Sequence, residues 1–233
     1  MTACVLRLRR WHRRWGATDE EVDRPLPGDD LVPRPMYETT RAIAIRAAPA
    51  AVWPWLLQLG QGRGGFYTFD RLENLAGLHI HSVDRIVPAL QRLAVGDVVP
   101  LSSHGGPTVA TLDPGRTLVL RMMMDPLTGR PLAGSDAGDR WLEWTWAFVL
   151  QPSDDAATRL LIRTRAAYAP QRLLAPLVAG VVEPAHFVME WGMLGGIKRR
   201  AESTAAALPA RGGRPGDTPW GSRRTSRRSW RSP

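Results

Sequence analysis

The sequence predicts an α+β domain: a run of β-strands covered on one face by a long C-terminal helix, with two short helices after the first strand. Three observations predict it. Between Trp141 and Leu150, the residues Leu142, Trp144, Trp146, Phe148 and Leu150 fall on one side of an extended chain. Near Pro49 the pattern changes period. The β-like stretch Thr39–Ala47 gives way to Val52, Trp53, Leu56, Leu57 and Leu59, an apolar stripe at helical spacing. Finally, the chain after Pro170 runs to about Leu208 with a broad apolar face of Phe187, Met189, Met193, Leu194 and Ile197. No other segment is long enough to cover the sheet.

The elements follow in order. The first strand sets Ile43 and Ile45 against Ala44 and Arg46, one pair inward and one outward. A short helix spans about Ala50–Leu59, and a second is expected over Asp70–Ala76. The glycines of Gly60-Gln61-Gly62-Arg63-Gly64-Gly65 suit a tight interhelical turn. They do not suit a phosphate loop, because they follow a helix and no Gly-Lys-Ser/Thr comes after them. Strands are expected near Asp97–Leu101, Thr108–Asp113, Thr117–Met124, Trp141–Leu150 and Thr158–Tyr168, with Pro114-Gly115 as a turn. Leu118, Leu120, Met122 and Met124 share one strand face, and Leu160 and Ile162 share another. Arg121, Glu143, Thr145, Arg163 and Arg165 occupy the opposite faces, which are expected to be wet. Glu183-Pro184 should break or kink the final helix. The glycines Gly192, Gly195 and Gly196 within it mark either close packing against the sheet or room for a ligand.

Charge is unevenly placed. The chain has 233 residues and a net charge of +9. Residues 1–15 carry five arginines and no acid, and 209–233 carry seven arginines and one acid, which leaves −2 for the middle. The middle is therefore not a basic nucleic-acid-binding domain. Residues 1–36 read as a basic N-terminal segment and extended lead-in, 37–208 as the folded domain, and 209–233 as a disordered Arg-rich tail. Thr18 and Glu21 fit a capping box in the lead-in. The tails suit either plain solvation or weak, nonspecific binding to an anionic partner, nucleic acid or membrane. A single cysteine, Cys4, excludes an internal disulfide framework. With no apolar run behind the basic N-terminus, cytoplasmic residence is expected.

Two stretches carry a family resemblance. The segment GRGGFYTFD, ending at Asp70, and the lead-in WGATDEEVDRPLPGDD resemble an actinobacterial subgroup of the START-like helix-grip superfamily (SRPBCC), which includes polyketide cyclases and lipid-transfer domains. The order of elements over roughly residues 37–208 resembles it too. The resemblance implies a curved antiparallel sheet of six or seven strands gripping the long C-terminal helix, with an apolar cavity between them. It also implies that Phe66, Tyr67 and Asp70 sit at or near the cavity mouth, with Tyr67 and Asp70 as either ligand contacts or structural residues.

Candidate chemistry is sparse. His79-Ile80-His81 puts two imidazoles on one side if extended, but zinc takes three or four ligands, and neither a metal nor a cofactor is expected. Glu183-x-x-His186 with Glu190 is an element of di-iron bundles, yet the second such motif is missing. His186 then reads as a buried or rim histidine that could anchor a ligand. Ser102-Ser103-His104 has no nucleophile-elbow context. The expected function is binding of a hydrophobic, lipid- or polyketide-like small molecule. The residues expected around it are Tyr67, Asp70, His79, Met122, Met124, Trp144, Trp146, His186, Met189 and Met193. A cyclase- or dehydrase-like enzyme using Tyr67, Asp70, His79 or His186 is the alternative.

Overall fold

A computed structural model describes residues 2–68, 82–102, 105–132, 138–153 and 156–207. Among them it has helices α1 (Thr2–Arg13), α2 (Asp19–Asp23), α3 (Pro49–Leu57), α4 (Gln171–Leu177) and α5 (Glu183–Ala207). The strands are β1 (Tyr37–Ile45), β2 (Thr108–Asp113), β3 (Thr117–Met124), β4 (Trp141–Ser153) and β5 (Ala157–Ala169). They form one antiparallel sheet in the order β1-β5-β4-β3-β2. This α+β sheet with a long C-terminal helix across it is compatible with the helix-grip arrangement.

Among the described residues the sheet has five strands rather than six or seven. The expected strand over Asp97–Leu101 forms only an isolated bridge, Val98 to Thr108. Its backbone bonds go to turns, to Gly105 and Pro107 just before β2, and to Val109 within it. The expected second helix, Asp70–Ala76, lies outside the described residues.

The strand faces divide as the alternation predicts. Leu118, Leu120, Trp146, Phe148, Leu160 and Ile162 all point to the core, where α3 and α5 meet the sheet. At the glycine turn, Gly60, Gly62 and Gly65 have φ of 126°, 71° and 77°, the left-handed region that side chains avoid. Arg63 folds back from this turn to the carbonyls of Leu57 and Leu59, which the end of α3 leaves without helical partners.

The opposite face of the sheet is drier than expected. The lead-in crosses it, held at one end by the Thr18–Glu21 capping box. Leu26 packs on Ala42, Val149 and Leu161. Arg163, expected to be exposed, is 3% exposed and fully bonded: to Thr40, to Asp29 and to the carbonyls of Glu21, Val22 and Arg24. Only toward Arg121 and Glu143, which pair across β3 and β4, does the expectation of a wet surface hold.

The N-terminal arginines also serve the fold. Arg13 bonds the Glu183 carboxylate at 2.7 Å and 2.8 Å, and Arg9 bonds it at 3.0–3.1 Å. Burial would push the Glu183 carboxyl up, but the arginine bonds outweigh it and hold the carboxyl below its usual range. The stretch Gln171–Ala207 is long and apolar enough to cross a membrane by length and composition. Its two buried carboxylates, Glu183 and Glu190, tie it instead to α1 and to β1.

Pro184 does not break the helix. The residue just before α5 ends a π-helical turn, Val178–Val182, which joins α4 to α5. Proline offers no N–H and crowds the preceding turn, and one wide turn relieves both.

Candidate functional site

A cavity of about 300 Å³ lies between the sheet and the first half of the C-terminal helix. The sheet builds it from three alternate residue pairs of β4 and β5. Trp146 faces Thr164, Trp144 faces Ala166, and Leu142 faces Tyr168. Tyr37, the first residue of β1, stands beside Ala166. The helix contributes Val178 and Val182 from the π turn, then His186 and Met189. Met124, Phe66 and Leu101 complete the wall. Trp144 and Trp146 meet edge to face, with ring centres 6.4 Å apart, a rigid aromatic surface.

At the Trp146 end the apolar wall meets a buried polar cluster. Glu190, 1% exposed, accepts from Trp146 Nε1 at 2.7 Å, from Thr164 Oγ1 at 3.1 Å and from His186 Nε2 at 3.0 Å. Arg41 pairs with its other oxygen. On the far side of the imidazole, His186 Nδ1 lies 3.0 Å from Tyr37 Oη. Burial alone would raise the Glu190 pKa. His186 and Arg41 overcome it and hold the carboxyl at about 2, so it is a carboxylate at neutral pH. Burial pushes the Tyr37 phenol up to about 12, so it keeps its proton.

The cavity gathers five of the residues singled out from the sequence: Met124, Trp144, Trp146, His186 and Met189. The others part from it. Tyr67 is fully buried with φ of 59°, and its hydroxyl donates to the Trp55 carbonyl, away from the cavity. Its neighbour Phe66, which the resemblance set near the cavity mouth with it, does line the wall. Met193 is packed in the core with Leu194 and Ile197. Met122 is buried and does not line the cavity. Asp70 and His79 lie outside the described residues.

Gly195 and Gly196 do not open the cavity. A methyl group on Gly196 would lie 2.6 Å from Tyr67 Cβ and closer still to the Tyr67 carbonyl oxygen. Gly196 therefore lets the Tyr67 loop press against α5, and Gly195 meets only Arg199. Gly196→Ala is expected to destabilise the fold by about 1–3 kcal/mol, as overpacking does. A thermal melt unchanged from that of the parent would refute this packing role.

Sequence reasoning missed Tyr37, Thr164, Arg41 and the part played by Glu190. One signal was available. Glu183, His186 and Glu190 share a helix face with Met193 and Ile197, and carboxylates on a buried face require cations from the elements beneath.

The sequence matches no family model and no curated protein. Among solved structures the fold is similar to the hypothetical protein jhp0584 from Helicobacter pylori, at 13% identity over 76% of this chain and 95% of that one, with a TM-score of 0.45. It is also similar to protein MLL2253 from Mesorhizobium loti, at 16% identity over 72% and 98%, with a TM-score of 0.39. CalU16 from Micromonospora echinospora is similar at 14% identity over 72% and 86%, with a TM-score of 0.30. At these values the likeness carries no functional argument.

Proposed function

We propose that this protein binds a hydrophobic, lipid- or polyketide-like small molecule in the cavity between its sheet and its C-terminal helix. The observation that supports this is the cavity wall itself: Phe66, Trp144, Trp146, Met124 and Met189 around about 300 Å³, with polar groups gathered at one end. Ligand sites combine an apolar lining with a few fixed polar groups in this way. Apolar voids that stay dry take up apolar molecules.

The test is a titration with an environment-sensitive apolar dye. The parent protein should bind it at about one site. Ala166→Leu, which adds bulk to the floor of the cavity, should weaken binding at least about tenfold while the protein stays folded, since the lost volume is ligand space. A variant that stays folded and binds the dye as the parent does would place the dye elsewhere and remove the support.

A cyclase- or dehydrase-like enzyme is the second reading, favoured by the Tyr37–His186–Glu190 chain. A tyrosine that passes its own proton to His186 Nδ1, with the resulting imidazolium held by the Glu190 carboxylate, can take a proton from a bound hydroxyl or an activated carbon. Turnover of a polyketide-like substrate that is lost in His186→Gln, with binding retained, would mark that activity.

A further inference from the structure

The polar end of the cavity has a direction, and it selects among ligands, given the binding role proposed above. A carboxylate accepts hydrogen bonds and cannot donate them. Every group bonded to Glu190 must therefore donate to it. This commits the Trp146 indole N–H, the single proton of the Thr164 hydroxyl and the His186 Nε2–H. The remaining imidazole nitrogen, Nδ1, lies 3.4 Å from Arg41 Nη1. A guanidinium has only donors, so Nδ1 presents its lone pair in this arrangement. Nδ1 has one lone pair, and it goes to the nearer partner: Tyr37 Oη, 3.0 Å away, directs its own proton there, while Arg41 also bonds the phenol oxygen and leaves it one lone pair.

No proton on Tyr37, Thr164, Trp146 or His186 is left over for a ligand at this end. What remains toward the cavity is the lone pairs of Tyr37 Oη and Thr164 Oγ1, with the Glu190–Arg41 pair behind them. Arg41 Nη2 is without a hydrogen-bond partner too, but Arg41 does not line the cavity. The uncommitted donors that do line it, on Trp144 and Tyr168, lie two and four positions farther along β4 and β5.

We infer that the cavity takes an apolar molecule carrying a neutral hydroxyl, phenolic or alcoholic, whose O–H donates to Tyr37 or Thr164. A carboxylate such as that of a fatty acid brings only lone pairs to a place that presents lone pairs, and it would lose its hydration with no donor to replace it. An ether or ester in the hydroxyl's place leaves those oxygens unpaired, which costs binding.

The test compares three probes of one shape with the full-length protein at neutral pH, by calorimetry or ligand fluorescence: 2-naphthol, 2-methoxynaphthalene and 2-naphthoate. The naphthol should bind about tenfold tighter than the methyl ether, the difference of one hydrogen bond. The naphthoate should bind weakest. Equal binding of naphthol and ether, or tightest binding of the naphthoate, would overturn the hydroxyl assignment and leave the cavity reading standing. Binding of none of the three would overturn both.

Discussion

Glu190→Gln is expected to cost about 3–5 kcal/mol, the usual penalty for removing one partner of a buried ion pair. The carboxylate is 1% exposed and Arg41 is fully buried, so neither charge can turn to water when its partner goes. Glutamine keeps the shape but removes the charge. Its amide oxygen can keep the donors of Trp146 and His186, but its N–H groups would then face those of Arg41. The cost should depend on pH. Folding lowers the Glu190 pKa from 4.5 to about 2. A depressed carboxyl pKa stabilises the fold above the unfolded value, and the contribution is lost as pH falls from about 4.5 toward 2. Glu183 is shifted the same way by Arg13 and Arg9, against its burial. Urea unfolding of parent and variant at pH 7 and pH 3 should show a large gap at the first and a smaller one at the second. The double variant Arg41→Met with Glu190→Met should lose less than Glu190→Gln alone, because no buried charge is stranded. A gap under about 1 kcal/mol at pH 7 would mean the pair contributes little to folding.

Arg163→Met should cost at least about 3 kcal/mol, since the change strands a charge partner and several acceptors at once. All of its N–H groups are used, and three of its acceptors are backbone carbonyls of the lead-in. Its loss should also loosen residues 16–34, which the arginine pins across the sheet. Hydrogen exchange over that segment should rise more than exchange in β4. By contrast Arg121→Met removes a partly exposed pair and should cost less than about 1 kcal/mol. Equal small effects at both positions would mean that the lead-in does not seal the outer face.

Arg163 and Arg41 show where the sequence stops being legible. Period-two alternation assigns a residue to a face, and it placed Trp146, Phe148, Leu160 and Ile162 correctly. It says nothing of what lies over that face. Arg163 looked solvated because the lead-in, rich in turns and acids, has no periodic pattern to show that it crosses the sheet. Arg41 shares the inner parity of Ile43, but its partner Glu190 lies 149 positions away. Depth along an element is equally invisible, and this is why Met122 on β3 reads like Met124 and Met193 on α5 reads like Met189. The long helix, the glycine turn and the aromatic wall at Trp144 and Trp146 were legible because each is a local pattern. Tyr37 and Thr164 were not, for they become site residues only when β1, β4 and β5 align in register.

The most direct test of a ligand cavity is native mass spectrometry of the freshly purified protein. The account predicts the chain mass plus one small apolar molecule, or the bare chain that gains one equivalent after incubation with 2-naphthol. The bound mass should disappear under denaturing conditions and be much reduced in Ala166→Leu. A bare chain that takes up nothing from cells or from the probe would contradict it.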